Sequence, residues 1–391
     1  MNLDRQREKK GIGNLLSFFK AQIQGGFLLI FFTLLAFVFA NSPYRFEYHE
    51  LSNNLAIWIN DGLMSFFLLL VGLEIKKEGT VGELNTKRKA LLPVIAALFG
   101  MIVPACIFLG INQHHPENYS GWAIPTATDI AFALGVLSLF RKKVPRTLFV
   151  LLAAIAIADD IGAVIVIALF YTQKLHLWAL ICSGLCVLIL AILCMAKVRW
   201  LSIYGLIGAV LWVFLYQSGV HPSISGVLVA FMIPISREQQ RSPLHILENR
   251  LHIPVNYGIV PLFIFFNAGV SFADLLPHSN LVTGIATFMH NPLVLGITLG
   301  LAIGKPLGIG GSILLLTQMK WASLPEGITR NYLFFMACLA GIGFTMAIFI
   351  SDLAFPLQET LKNFAKAGIL LGSITSIFVG VLSLLFGRKG S

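Results

Sequence analysis

Apolar runs of roughly 17–25 residues recur twelve times along the 391-residue chain, at about 24–41, 58–75, 90–111, 122–140, 148–171, 177–196, 201–217, 221–235, 256–274, 292–317, 332–353 and 366–386. A helix of that length crosses about 30 Å of hydrocarbon while bonding its own backbone, which is what a lipid environment demands. Because 57% of residues are hydrophobic and only 12% charged, about half the usual charged share, a soluble fold is excluded. The expectation is an all-α polytopic membrane protein with 12 transmembrane helices forming one integral membrane domain, 1–391.

Basic residues orient the spans. The N-terminus, every second loop and the C-terminus carry 23 of the 28 Lys and Arg residues; the alternate loops carry four, and Lys305 lies inside a span. Both termini are therefore expected on the cytoplasmic side. The net charge of +10 is explained by this topology, so no nucleic-acid partner is expected. Val38-Phe39-Ala40 has the form of a signal-peptidase site, but removing the first span would leave eleven and break the charge rule. Leu15, Leu16, Phe18 and Phe19 beside Lys20 suggest a short interfacial helix ahead of the first span. Cys106, Cys182, Cys186, Cys194 and Cys338 all fall in spans without metal-ligand spacing and read as small buried hydrophobes.

Few ionisable residues remain away from the span ends: Asp61, Asp129, Asp159, Asp160 and Lys305. Four carboxylates against one ammonium call for a cation. An ionised Asp at the bilayer midplane costs roughly 2.5–3.5 kcal/mol, so each needs a partner, a proton or a bound cation. Asp159 and Asp160 point about 100° apart on a helix. One can pair with Lys305 while the other turns toward a water-filled path, where protons and a small cation would compete for its oxygens.

Pro125-Thr126-Ala127-Thr128-Asp129 interrupts the fourth span, either as non-helical chain in a protein-lined cavity or as a kink with a capping Asp. Ala340-Gly341-Ile342-Gly343-Phe344-Thr345 interrupts the eleventh, unless its glycines serve only close packing. Spans 3–5 (90–171) and 10–12 (292–386) thus each carry a break in the central helix and run in opposite senses. This is the pattern of inverted-topology repeats whose two broken helices cross at the midplane. Asp129 could then neutralise the positive half-helix ends and Lys305 the negative ones. The glycines of Gly304–Gly311 lack phosphate-loop spacing and read as helix packing.

Several stretches, in order, resemble the NhaA family of bacterial Na⁺/H⁺ antiporters over nearly the full chain. They are Asp61-Gly62-Leu63-Met64 with Val71-Gly72-Leu73-Glu74, then Trp122 to Pro125 and Thr128 to Gly135, and Asp159-Asp160-Ile161-Gly162-Ala163. Ser218-Gly219-Val220-His221, Gly304-Lys305-Pro306-Leu307-Gly308 and Gly341 to Thr345 complete the set.

The resemblance implies an electrogenic exchanger in the bacterial inner membrane that expels Na⁺ or Li⁺ as protons enter, regulated by pH. It makes Asp160 the principal cation ligand, helped by Asp159 and Thr128, and Asp159 the partner of Lys305. Thr128, Asp129, Gly341 and Gly343 become the crossing-point residues. It places pH sensing at Glu74, Lys77, Glu78, Glu248 and His252, positions that ordinary solvated loop charge would equally explain. His221 matches the family, though an interfacial His would read the same way.

The resemblance also implies a homodimer joined by an external hairpin at 42–53, where Tyr44, Phe46 and Tyr48 alternate with Arg45 and Glu47. Residues 24–75 and 221–274 would form the interface helices. Neither ATP, an organic cofactor nor enzyme chemistry is expected. An intramembrane aspartyl protease would need a Gly-x-Gly-Asp motif, which does not occur, and a retinal protein would not have twelve spans with Pro306 after its Lys. The remaining alternative is a sodium-coupled solute symporter on a related inverted-repeat fold.

Overall fold

The computed structural model describes residues 26–82, 86–172, 175–236, 242–271, 275 and 288–386, the side chains of 87–89 excepted. The interfacial helix expected at Leu15 to Lys20 lies outside the described residues. Every regular element among the described residues is helical.

In chain order these are α1 (Gly26–Ala40), α2 (Arg45–Thr80), α3 (Lys87–Ile111), the half-helices α4 (Pro116–Thr126) and α5 (Ile130–Leu139), and α6 (Arg146–Phe170). Next come α7 (Leu177–Met195), α8 (Leu201–Ser218), α9 (Ile224–Met232), α10 (Pro243–Pro254) and α11 (Val260–Asn267). The chain closes with α12 (Pro292–Gln318), the half-helices α13 (Arg330–Leu339) and α14 (Phe344–Ala354), and α15 (Glu359–Phe386).

Seven described helices are long and apolar enough to cross a membrane, or nine when each bent pair forms one span. The twelve expected spans are therefore not all reached by length and composition. The first, eighth and ninth runs form shorter helices, α1, α9 and α11. Pro222 and Pro234 flank α9, and Pro254 leads into a π-helical turn, Val255–Ile259, ahead of α11. Proline removes a donor and clashes with the preceding turn, so helix cannot run smoothly through these points.

The expected hairpin at 42–53 is not a hairpin. Residues Arg45–Ala56 are α-helical and continue through a π-helical turn, Ile57–Leu63, into the rest of α2. Two lone strands are only marginally stable in water. Here the helical period gives Tyr48 an inward face. Its ring meets Phe39 and Phe265 at 6.2 and 5.6 Å, and its hydroxyl donates to the Phe265 carbonyl. Tyr44 and Phe46 stay exposed.

The main core gathers around α5, α6, α12, α13 and α14, while a second cluster joins α7, α8 and α9. Lys305 is held in the first by the close approach of α12 to α3. A Cβ on Gly304 would sit 2.8 Å from the Cα of Pro104, so only glycine lets the backbones meet there. The packing role expected for this glycine run is what the structure displays. π-Helical turns Gly300–Gly304 and Pro306–Gly310 bracket Lys305 and re-aim it inward.

Candidate functional site

Two bent helices cross at the centre of the core. α4 and α5 meet at 49°, α13 and α14 at 43°. Pro125 cannot donate a backbone hydrogen bond, and Thr126 turns its hydroxyl back to the Ala123 carbonyl at 2.7 Å, so the helix stops and Ala127 becomes extended. Asp129 restarts it as an N-cap, accepting from the Phe132 amide at 2.9 Å. Both readings left open for this segment are thus partly realised: the chain leaves the helix, and Asp129 caps α5.

The second break is stitched directly to the first. The Asp129 amide donates to the Ile342 carbonyl at 2.6 Å, and the Thr128 hydroxyl to that of Ala340 at 2.8 Å. Gly341 is required by close approach, since a Cβ there would collide with the Ser376 hydroxyl and the Leu301 carbonyl. Gly343 sits between Leu301 and the Ala127 carbonyl.

Asp129 also accepts from the Thr345 amide at 3.1 Å and the Thr345 hydroxyl at 2.5 Å. One carboxylate therefore faces the N-termini of both α5 and α14, where helix dipoles favour negative charge by up to about 2 kcal/mol when partly buried. The matching expectation for Lys305 is not met in the same form. At the C-terminal end of α13 it is the Thr128 hydroxyl that serves the Ala340 carbonyl, whereas the Lys305 ammonium goes to Asp159.

That pair is fully enclosed. Lys305 Nζ lies 2.5 Å from Asp159 Oδ2, with side-chain exposures of 0% and 3%, so water screens neither charge. The second Asp159 oxygen has no hydrogen-bond partner in the protein. Asp160, turned away by one helical step, lines a cavity of about 60 Å³ with Thr128, Asp129, Thr345, Glu74 and Asn256. A space this size suits a small ion with a water or two and is far below the roughly 300–1,000 Å³ of organic-ligand pockets.

The residues assigned to pH sensing fall at one end of this cavity. Glu74 is on its wall. Lys77 of α2 reaches Glu248 of α10 at 2.7 Å, and Glu248 also meets His245 at 3.2 Å. His252 contacts Asn256, and burial holds its imidazole below the usual value, Glu248 opposing and Lys77 adding to that effect. Glu78, half-buried, lies one turn beyond Glu74 on the same face of α2.

At the opposite end Asp61 and His221, separately noted in the sequence, form a pair at 3.2 Å. They line another cavity, of about 280 Å³, with Tyr171, Tyr216, Phe349 and Asp352. Sequence reasoning missed the contribution of Thr345, although it ends the Gly341 motif, and of Asn256. It also passed over Asp352 and Lys366, which pair at 3.8 Å, because both sit at span ends. Among the described residues no three His, Cys, Asp or Glu side chains converge as a resident metal would need.

Known proteins resemble this chain in sequence and in fold. The family model described as Na⁺/H⁺ antiporter 1 matches residues 16–384. The chain is 45% identical over 392 residues to the Na⁺/H⁺ antiporter NhaA 1 of Klebsiella pneumoniae, covering 96% of this chain and 97% of that protein. It is also 45% identical over 383 residues to the NhaA of Shigella flexneri, covering 94% and 96%. In fold it is similar to the sodium proton antiporter MjNhaP1 of Methanocaldococcus jannaschii, with a TM-score of 0.53 at 13% identity over 96% of this chain and 97% of that one. With a full-length family match, and relatives at this identity whose sequences it spans almost from end to end, this multi-pass membrane chain belongs to the Na⁺/H⁺ antiporter 1 family.

Proposed function

We propose that the protein exchanges Na⁺ or Li⁺ for protons across the bacterial inner membrane, electrogenically and under pH control. The observation that carries this reading is Asp160 on the wall of a small ion-sized cavity while its neighbour Asp159 is bound by Lys305. Asp160 offers the cavity an anionic oxygen that a cation or a proton can occupy but not both. A cation drawn by Asp159 as well would release Lys305 from its ion pair; one proton leaving the Asp160 carboxyl and one leaving the freed Lys305 ammonium then make two for each cation bound. Exchanging two protons for one monovalent cation moves one net charge per cycle. Thr128, beside the carboxylates, is the neutral oxygen ligand. The size of the cavity disfavours a symporter of organic solutes.

The bent pairs α4/α5 and α13/α14 are the central members of inverted repeats 90–171 and 292–386, a reading supported by their matching breaks. Twelve spans result if α1, α9, and α11 with the π-helical turn before it, each cross once, with both termini cytoplasmic by the distribution of Lys and Arg. On that orientation the Glu74 end of the cavity is cytoplasmic and the Asp61 end external. Glu74, Lys77, Glu78, Glu248 and His252 would adjust access to Asp160 from inside. A homodimer would pair the 24–75 and 221–274 faces, with the exposed Tyr44 and Phe46 at the helical start of α2 as contacts in place of a hairpin. The deciding experiment is ΔpH dequenching in inside-out vesicles with Na⁺, Li⁺ and K⁺ added in turn across a pH series. Dequenching by Na⁺ or Li⁺, absent with K⁺, supports the reading; no response at any pH rejects it.

A further inference from the structure

The cavity at the Asp61 end is lined by Asp352, one member of a second buried acid–base pair to which the exchange reading gives nothing to do. Asp352 and Lys366 have side-chain exposures of 8% and 9%, and their charged atoms stand 3.8 Å apart. That separation is an ion pair without a hydrogen bond. The Asp352 Oδ2 atom is buried with no donor from the protein. A structural ion pair normally satisfies its oxygens, because leaving one bare costs about as much as the pair returns.

Position makes the pair more than a strut. Thr345, Phe349 and Asp352 fall on one face of α14, at i, i+4 and i+7. Thr345 lines the Asp160 cavity, whereas Phe349 and Asp352 line the outer one. The fully buried Phe349 ring, met edge-on by His221 at 5.7 Å and Phe263 at 6.2 Å, comes between Thr345 and Asp352 along this face of α14. Asp352 also lines a smaller cavity of about 50 Å³.

We propose that Asp352, with Lys366 as its counter-charge, is the proton-accepting carboxylate of the outer cavity, the group that takes protons from the external side before they pass Phe349. This rests on the exchange reading. The charged and titratable groups around it are Lys366, Lys362 and Glu359 of α15, Asp61, His49 and Tyr48 of α2, His221 before α9, Tyr216 of α8 and Tyr171 after α6. A proton and a Na⁺ each add one positive charge beside these ammonium groups, but the proton bonds to a single Asp352 oxygen, whereas Na⁺ needs several further oxygen ligands that the Lys366 and Lys362 ammonium groups cannot supply. In the step itself a hydronium ion of the cavity gives its proton to the carboxylate and leaves as water.

Two measurements on the purified full chain test it. Infrared difference spectra between acid and alkaline pH should contain a protonated-carboxyl band that Asp352→Asn removes and Asp352→Glu restores with a shift. A band unchanged in Asp352→Asn overturns the proposal whether or not exchange is measurable. In right-side-out vesicles with interior pH fixed, ²²Na⁺ efflux should fall more steeply with rising external pH in Asp352→Asn, at least threefold below the unmodified protein at the alkaline end. The half-saturating interior Na⁺ should not change, and Asp352→Glu should recover most of the rate. Superimposable external-pH profiles would overturn the proposal, as would a uniform loss at every pH with a lowered melting temperature, the mark of a purely structural pair. No efflux from the unmodified protein would instead reject the exchange reading, and the infrared band would still decide for or against Asp352.

Discussion

At the residue scale, neighbouring carboxylates on one helix are given different surroundings: Asp159 meets an ammonium and Asp160 a cavity. Asp160→Asn is expected to abolish exchange while leaving the protein folded, because an amide neither releases a proton nor offers an anionic oxygen. Vesicle dequenching at matched expression checks it, and near-normal activity would remove Asp160 from the site. Lys305→Ala leaves a buried carboxylate alone and should cost about 3–5 kcal/mol, since breaking a buried pair exposes the full desolvation penalty. The melting temperature should drop clearly, and less so in Lys305→Arg. His252 carries a pH prediction with a definite sign. Its imidazole is held below the usual value by burial, so the folded protein binds fewer protons than the unfolded chain. The associated stability is present above the unfolded value, about 6.5, and is lost as pH falls through the lower folded one. His252→Gln should flatten that acid-side fall in melting temperature; an unchanged slope would show that His252 contributes nothing to it.

At the scale of elements, the candidate site is built where two helices fail to be continuous. Asp129 and Thr345 hold the breaks together with a hydrogen bond at 2.5 Å, and Thr345→Val should cost about 1–3 kcal/mol by stripping a buried acceptor of its donor. Gly341→Ala should cost about as much through overpacking against Ser376 and Leu301. Both effects are readable as melting temperatures, and a Gly341→Ala variant as stable as the parent would mean that the crossing point is looser than its geometry. The start of α2 shows how a local pattern misleads. Tyr44, Phe46 and Tyr48 alternate as a strand would, yet the helix wins because Tyr48 finds Phe39 and Phe265 within its own chain. Deleting Arg45–His49 should therefore lower the melting temperature as well as weaken any dimer. Crosslinking combined with thermal unfolding separates the two, and a lost dimer at unchanged stability would assign this turn to the interface alone.

For the whole molecule, the proposed cation site at Asp160 would tie transport to proton concentration. If Na⁺ and protons share the carboxylate oxygens, apparent Na⁺ affinity must fall as pH drops, by about tenfold per pH unit for each proton displaced once protons dominate. Substituting Glu74, Glu78, Glu248 and His252 together should move this profile only modestly, because competition at Asp159 and Asp160 remains. Half-saturating Na⁺ measured across pH in vesicles decides between the two. A profile displaced by about two units at unchanged high-pH affinity would locate the control at the Glu74, Glu78, Glu248 and His252 cluster.

The sequence alone determined the helical membrane class, the isolation of Asp129, Asp159, Asp160 and Lys305 among apolar residues, and the two helix interruptions. Each results from a local cost: an unpaired charge or an unsatisfied backbone group in hydrocarbon announces itself within a window of about twenty residues. What only the tertiary structure decided is which groups meet. The 146 positions between Asp159 and Lys305, the 216 between Asp129 and Thr345, and the approach of Asp61 to His221 have no local signature. Asp352 and Lys366 read as ordinary span-end charges until α14 and α15 pack together and bury them. Such pairings are set by helix packing over the whole chain, where close contacts such as Gly304 on Pro104 and Gly341 on Leu301 fix which faces are brought together.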